Sequence, residues 1–419
     1  MPDALTGVTG QDTVIESDGA KPRDRRLRFL LHMAAKLRVG TLEMVFPDGS
    51  RHRAIATESP HAEIIINHPG AVARLATGGS LGLAEAYIDG MWSSPDIRAI
   101  MSLAYINEEE WEETLNGRRL KRLIAKLLHL LRPNSRGGAK RNIVDHYDLG
   151  NDFYAAWLDP TMFYSSAHFG GNASLSLEEA QLEKVHRLCQ LLQLTPGMRV
   201  LEIGCGWGGF AEVAARDYGC NVVGLTLSPS QLEFAQARMQ AAGLDQRVDL
   251  RLQDYRDVEG TFDRIASIEM FEAVGEKFWP IYFTTIRDRL RTNGVAGIQV
   301  ITIADRLFEN YRKGADFIQR HVFPGGMLPS KRRLKQAIMK AGLAWGEEHW
   351  FGLDYAETLA RWQDSFQAAW PRIKADSAVR RRPCDERFKR LWEYYLAYCE
   401  TGFRAGWTDV GQILIARNQ

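Results

Sequence analysis

No apolar run in this chain of 419 residues approaches the roughly 18 needed to span a bilayer, which argues against a transmembrane helix. The amino-terminal stretch also lacks the basic start and apolar block of a secretory signal, so a cytoplasmic location is expected. Cysteine is scarce. Cys189, Cys205, Cys220, Cys384 and Cys399 show neither paired metal-ligand spacing nor an even count, and read as reduced thiols with no metal site. A charge excess is missing too: 53 Lys and Arg stand against 52 Asp and Glu, which gives no reason to expect a nucleic-acid partner.

What is present falls into blocks, and the length suggests two or three domains. Residues 1–22 are small and polar, with too little apolar surface to fold, and are expected to form a disordered tail. Residues 23–115 read as a small α+β domain, with strands over 41–46 and 62–67 and a short helix over 69–75. In residues 116–141 there is no acid beside Arg118, Arg119, Lys121, Arg122, Lys126, Arg132, Arg136, Lys140 and Arg141. Leu120, Ile124, Leu127, Leu128 and Leu131 interleave at helical spacing. Such a basic amphipathic helix suits an anionic membrane surface. It equally suits a linker that packs its leucines on a neighbouring domain, and both readings stand. From 142 to 419 strands and helices alternate as in an α/β domain, with strands over 199–203, 221–225, 248–252, 262–267 and 295–303. A helical insertion or lid is expected over about 308–390, and a last strand over 409–416.

The run from Val200 to Gly209 is the strongest single signal. A buried strand ends in Glu202 and Ile203, and Gly204, Gly206 and Gly208 follow in a G-x-G-x-G turn before a helix. The G-x-G-x-x-G spacing of pyrophosphate binders is absent. With no diphosphate to cradle, an acidic residue and a helix N-terminus suit a cationic ligand that carries a ribose, S-adenosylmethionine, approaching the backbone of Gly204 and Gly206. At the end of the next strand Thr226, Ser228 and Gln231 offer neutral groups to the ribose, and Ser228 also suits a helix N-cap. Asp254 and Tyr255, after the third strand, can reach an adenine.

Two further segments narrow the reading: His146 to Tyr154 with Phe163 to Ala167, and Ile268 to Gly275. With the glycine blocks, Phe323 to Ser330, Asp354-Tyr355 and Tyr394 to Arg404, they resemble the cyclopropane fatty acid synthase family, which includes the mycolic acid cyclopropane synthases. The resemblance covers about residues 142–419, and Gly82 to Trp92 resembles the small N-terminal domain of long-form members. It implies a class I methyltransferase fold, a Rossmann-like doubly wound α/β sheet with a helical lid. The implied reaction moves the methyl of S-adenosylmethionine to a cis double bond of an unsaturated phospholipid acyl chain. Loss of a proton from the new methyl then closes a cyclopropane ring. An enzyme peripheral to the inner face of the membrane follows, and a homodimer is left open.

The same resemblance implies a bound bicarbonate as base, held by a glutamate, a histidine, a tyrosine and two backbone amides. Glu272 and Tyr355 match the glutamate and tyrosine, and Ser166 and Ile303 match the amide positions. The histidine position is Ile301, and the histidine often found after the glutamate is Ala273. Gln299, His168 or Glu272 itself is then expected to fill the gap. Tyr164 and Ser165 are expected beside the methionine end of the cofactor, and Tyr164, Phe271 and Tyr355 to face the cation. The altered base also admits a methylene- or methyl-branched product. An amine acceptor and a non-catalytic lipid-binding protein are weaker readings.

Overall fold

The computed structural model describes residues 13–18, 22–115, 149–376 and 384–417. The basic segment 116–141 and the motif residues His146 to Asp148 lie outside the described residues. The chain forms two compact units, one of Met1–Ala125 with Cys384–Ala405, the other of Lys126–Pro383 with Gly406–Gln419.

In the first unit β1 (Val14–Ser17), β2 (Thr41–Val45), β3 (Arg51–Ile55), β4 (His61–Ile66) and β5 (Trp92–Ser93) form a sheet of order β1-β3-β2-β4-β5. Strand β1 corrects part of the expected disordered tail. Its four side chains are all exposed, so it is held by antiparallel backbone pairing to β3 and not by burial. The sequence expectation followed hydrophobicity, which is blind to such an edge strand. The helix Glu386–Arg404 also belongs here, packed on the helices Gly70–Ile88 and Ile97–Ile106, which corrects the single span 142–419. Its buried face includes Trp392, Tyr394, Tyr395 and Phe403. The Tyr87 hydroxyl donates to Glu393 at 3.2 Å, and Arg390 donates to the carbonyls of Tyr87 and Trp92.

The second unit is a seven-stranded sheet of order β11-β12-β10-β9-β6-β7-β8. It is built from β6 (Arg199–Ile203), β7 (Asn221–Thr226), β8 (Val248–Leu252), β9 (Phe262–Ile268), β10 (Leu290–Ile303), β11 (Leu343–Trp350) and β12 (Thr408–Arg417). The run from β10 to β8 is parallel, and β12 lies antiparallel between β10 and β11. Successive residues of a strand feed opposite faces. Val200 and Val222 therefore join one apolar cluster with Val185, Leu188 and Phe210, while Leu201 and Val223 join another with Tyr282, Phe283, Leu334 and Ile338. Helices cover both faces, and the sheet is doubly wound. Strand β11 corrects the strand-free lid expected over 308–390. Its sequence, LAWGEEHW, carries acids because it is an edge strand with three exposed positions in mid-strand. The chain runs from β6 to β7 and β8 on one side and returns to β9 on the other. The switch point between β6 and β9 is where such sheets bind ligands. Among the described residues no helix is long and apolar enough to cross a membrane.

Candidate active site

Strand β6 leads into a turn in which Gly204, Gly206 and Gly208 take φ of 88°, 51° and 83°, angles that penalise any residue with a Cβ. The Gly204 and Cys205 N–H groups donate to the Leu225 carbonyl at 3.0 and 2.8 Å, which fastens the turn to β7. Gly208 opens the helix Gly209–Arg216. A Cβ on Gly204 would lie 2.7 Å from Met270 Cγ, whereas one on Gly206 would meet nothing within 4 Å. The ground open to a ligand is thus over Gly206, and Gly204 is small so that Met270 can pack. Glu202, only 3% exposed, is pushed up to about 8 by burial, against the pull of the Ala211 N–H and Arg238. Its Oε2 has no partner among the described residues, an unmet acceptor beside the turn. Trp207 donates from its indole to Asn151 at 2.8 Å, and Asn151 donates to the Ser230 carbonyl, so the helix Asn151–Ala155 is strapped to the loop.

The groups expected at the ribose bond one another. Thr226 Oγ1 donates to Gln231 Oε1 at 3.1 Å and accepts from the Ser228 N–H, while Ser228 Oγ caps the helix Pro229–Ala241 by accepting from the Gln231 N–H. All three are buried at the carboxyl end of β7. Asp254 is neither solvated nor idle. It accepts from the Arg256 backbone and guanidinium at 2.5 to 3.0 Å in a largely buried ion pair. Tyr255 stands edge-on to Tyr282, its phenol pushed up to about 12 by burial.

Beyond the glycine turn, β9 delivers two carboxylates to the same edge of the sheet. Glu269 directly follows the strand, and Glu272 lies in the short 3-10 turn Phe271–Ala273. Each residue is partly buried. Glu269 Oε1 accepts from the Ser166 N–H at 2.9 Å and from the Gln299 amide at 2.8 Å, and Oε2 accepts from the Tyr355 hydroxyl at 2.7 Å. Burial raises its pKa, and these donors together with Lys184 pull it back. Glu272 Oε1 accepts from the Ile301 N–H at 2.6 Å, while Oε2 is buried without a partner among the described residues. Burial first, and the neighbouring Glu269 second, push Glu272 up to about 8. At pH 7 it is a neutral acid.

The donors expected at the anion site are engaged by protein groups. The Ser166 N–H and the Tyr355 hydroxyl are already bound to Glu269, and the Ile303 N–H donates to the Pro329 carbonyl at 2.9 Å. Ser166 Oγ is turned to the Ala167 carbonyl. Gln299 does stand near the gap left by Ile301, but its amide faces Glu269. His168 pairs with His349 at 3.0 Å and does not reach the carboxylates. Ser165 Oγ accepts from Lys184 Nζ at 2.8 Å, and that ammonium also lies 3.9 Å from the centre of the Phe163 ring. Lys184 is fully buried, and burial lowers its pKa.

Tyr164 sits in an aromatic cluster, with Tyr154, Trp157 and Trp362 at ring distances of 5.3, 5.7 and 5.5 Å and Phe323 at 6.3 Å. Tyr355 joins it through Trp362 at 6.1 Å. Phe271 does not. It is 1% exposed and packs on Trp279, Tyr282 and Phe283, a core residue where a cation-facing one was expected. Sequence reasoning missed Glu269, Lys184, Trp157 and Trp362. For Glu269 the signal was available, because the argument applied to Glu272, an acid in an apolar segment at a strand end, holds three residues earlier as well.

The family model described as mycolic acid cyclopropane synthetase matches residues 134–413. The tuberculostearic acid methyltransferase of Mycobacterium tuberculosis is 36% identical over 396 residues, covering 90% of this chain and 88% of that protein. The cyclopropane-fatty-acyl-phospholipid synthase of Escherichia coli is 38% identical over 359 residues, covering 86% and 89%. Among solved structures, the mycolic acid cyclopropane synthase CmaA1 complexed with SAH and CTAB aligns with a TM-score of 0.61 at 31% identity, over 66% of this chain and 98% of that one.

Proposed function

The chain belongs to the mycolic acid cyclopropane synthetase family and is an S-adenosylmethionine-dependent methyltransferase, and on that footing we propose that it methylates a cis double bond of a phospholipid acyl chain and closes a cyclopropane ring. The observation that carries this reading is the meeting, at one sheet edge, of an open glycine turn, an aromatic cluster and a donor-held carboxylate. An alkene is a weak nucleophile, so the site must align it with the sulfonium and keep water from the cation that forms. Tyr164, Trp157, Trp362 and Tyr355 supply ring faces that stabilise a cation, each by on the order of 1–2 kcal/mol in a dry site.

The residues fit the cofactor. The turn over Gly206 admits it, and the unmet Glu202 oxygen can take a ligand hydroxyl. Thr226, Ser228 and Gln231 stand at the end of β7 for the ribose, and Asp254 and Tyr255 after β8 for the adenine. Gly204 and Gly208 shape the turn, and Tyr164 and Ser165 take the methionine end. Glu272 serves as a neutral acid beside Glu269. The basic segment 116–141 serves as the contact with anionic phospholipid, at the membrane surface where the substrate is found.

The test is incubation with methyl-labelled S-adenosylmethionine and vesicles of unsaturated phospholipid. The expected product shows cyclopropane ring protons by NMR. Olefinic methylene protons in their place would establish the branched-chain reading, which the altered histidine position admits. No label in lipid would refute both.

A further inference from the structure

Glu269 is held by three donors from three different elements. A carboxylate offers about four lone-pair positions. The Ser166 N–H and the Gln299 amide occupy both on Oε1, and the Tyr355 hydroxyl takes one on Oε2, which leaves one on Oε2 without a donor among the described residues. The donors are themselves held. Gln412 donates to Gln299 Oε1 at 3.1 Å and to the Lys184 carbonyl at 2.9 Å, so the Gln299 amide can present only its N–H groups to Glu269. Tyr355 rides on the helix Gly352–Asp376, which Thr358 Oγ1 ties to the Ala167 N–H at 3.1 Å. The backbone of Glu269 itself is left-handed, with φ of 48°, a strained choice for a non-glycine residue and one that surrounding structure must enforce. Tyr355 also touches Trp362, so the free lone pair lies at the rim of the aromatic cluster.

We propose that Glu269 is the catalytic base, its Oε2 taking the proton from the transferred methyl group in the place that resemblance assigns to bicarbonate. This rests on the alkene-methylation reading above. In the first step the methyl–sulfur bond breaks as a carbon–carbon bond forms from the alkene π pair. The sulfonium becomes a neutral thioether, and the positive charge passes to the other alkene carbon. In the second step a C–H bond of the new methyl breaks, its proton goes to Glu269 Oε2, and its electron pair closes the ring. The glutamic acid then returns the proton to solvent. No other reactant is needed. The charged and titratable groups that face Glu269 are Lys184, whose charge pulls its pKa down, Tyr355, and the neutral acid Glu272.

The experiment uses the full chain with labelled S-adenosylmethionine and unsaturated phospholipid vesicles, in buffer freed of carbon dioxide, with and without added bicarbonate. The wild type is expected to turn over within about twofold of the same rate in both. Glu269→Gln should lose at least about 100-fold in turnover, the scale of a positioned base, with cofactor affinity changed less than about threefold. Glu269→Ala should regain at least about tenfold on addition of formate or bicarbonate, a rescue that a purely structural carboxylate would not show. A wild type that stops without bicarbonate and recovers with it overturns the proposal, even if neither variant folds. So does a Glu269→Gln enzyme of near-normal turnover. A wild type that labels no lipid under any condition overturns the alkene reading and the base with it, whereas label without dependence on Glu269 overturns the base alone.

Discussion

The two glycines of the cofactor turn should fail in different ways when a methyl group is added. In Gly204→Ala the new Cβ sits at a φ of 88° and 2.7 Å from Met270 Cγ, with Met270 Cβ at 2.9 Å. The left-handed backbone costs roughly 1–2 kcal/mol. Met270 cannot escape by rotating its far end alone, because its own Cβ is one of the two atoms struck, and such overpacking adds about 1–3 kcal/mol. At about 2–4 °C of Tm per kcal/mol for a domain of this size, the variant should melt at least about 5 °C below the wild type. Gly206→Ala meets no atom within 4 Å. It should lose only about 1–2 kcal/mol, from backbone strain. On the proposed reading its methyl stands in the path of the cofactor, and cofactor Kd should rise at least about tenfold, equivalent to about 1.4 kcal/mol. Differential scanning calorimetry and isothermal titration on both variants separate the effects. A Gly206→Ala protein that binds S-adenosylmethionine normally, or a Gly204→Ala protein with unaltered Tm, would refute the division of labour.

Other perturbations have definite signs. Glu272 has a folded pKa of about 8, above its unfolded value, so the folded state holds a proton that the unfolded state releases. Wild-type stability should therefore fall as pH rises from about 4.5 to about 8, and urea titrations of Glu272→Gln should show a shallower decline, with a gain on the order of 5 kcal/mol at the alkaline end. Some slope should remain, because Glu202 is raised in the same way. Lys184→Met removes the buried amine whose charge pulls the Glu269 pKa down, so the acid limb of the rate profile should move to higher pH. Asp254→Asn breaks a largely buried pair with Arg256, and chemical denaturation should report a loss of about 3 kcal/mol. Replacing Arg118, Arg119, Lys121 and Arg122 by Gln should weaken binding to anionic liposomes at least about tenfold, and wild-type binding should fall as salt rises; salt-insensitive binding would favour the linker reading.

The glycine turn and the parallel core of the sheet were legible because both leave marks on consecutive residues. Buried strands read as apolar runs, and a turn that needs repeated positive φ must spend glycine at each such position. The carboxylate site was only half legible. Tyr355, Ser166 and Gln299 were singled out, yet their common partner Glu269 was passed over, since its role depends on three donors far away in sequence. Lys184 was hidden for a related reason. On the helix Leu177–Leu191 it sits among charged residues and looks like part of a solvated face, and only the fold buries it against Phe163 and Ser165. Strand β1 and the helix Glu386–Arg404 were misplaced because edge pairing and packing between distant segments carry no local pattern.

The charge states around the site argue for a base fixed in the protein. One positive charge enters with the sulfonium, moves onto carbon, and must leave as a proton. Burial pushes Glu272 and Glu202 up to about 8, so both are mostly protonated at pH 7, and it lowers the pKa of Lys184, which weakens a buried positive charge near Glu269. Burial raises the Glu269 pKa as well, but three donors to its oxygens and Lys184 oppose that push. The migrating charge thus moves toward a carboxylate held in place by the protein. Because that anion is tethered by the end of β9, Ser166 and Tyr355, it need not be recruited from solution, and its remaining lone pair has a set direction. Where that lone pair meets the new methyl, the ring closes; where it meets a neighbouring C–H of the chain instead, a methyl-branched internal olefin forms. The same carboxylate that sets the rate therefore sets the product.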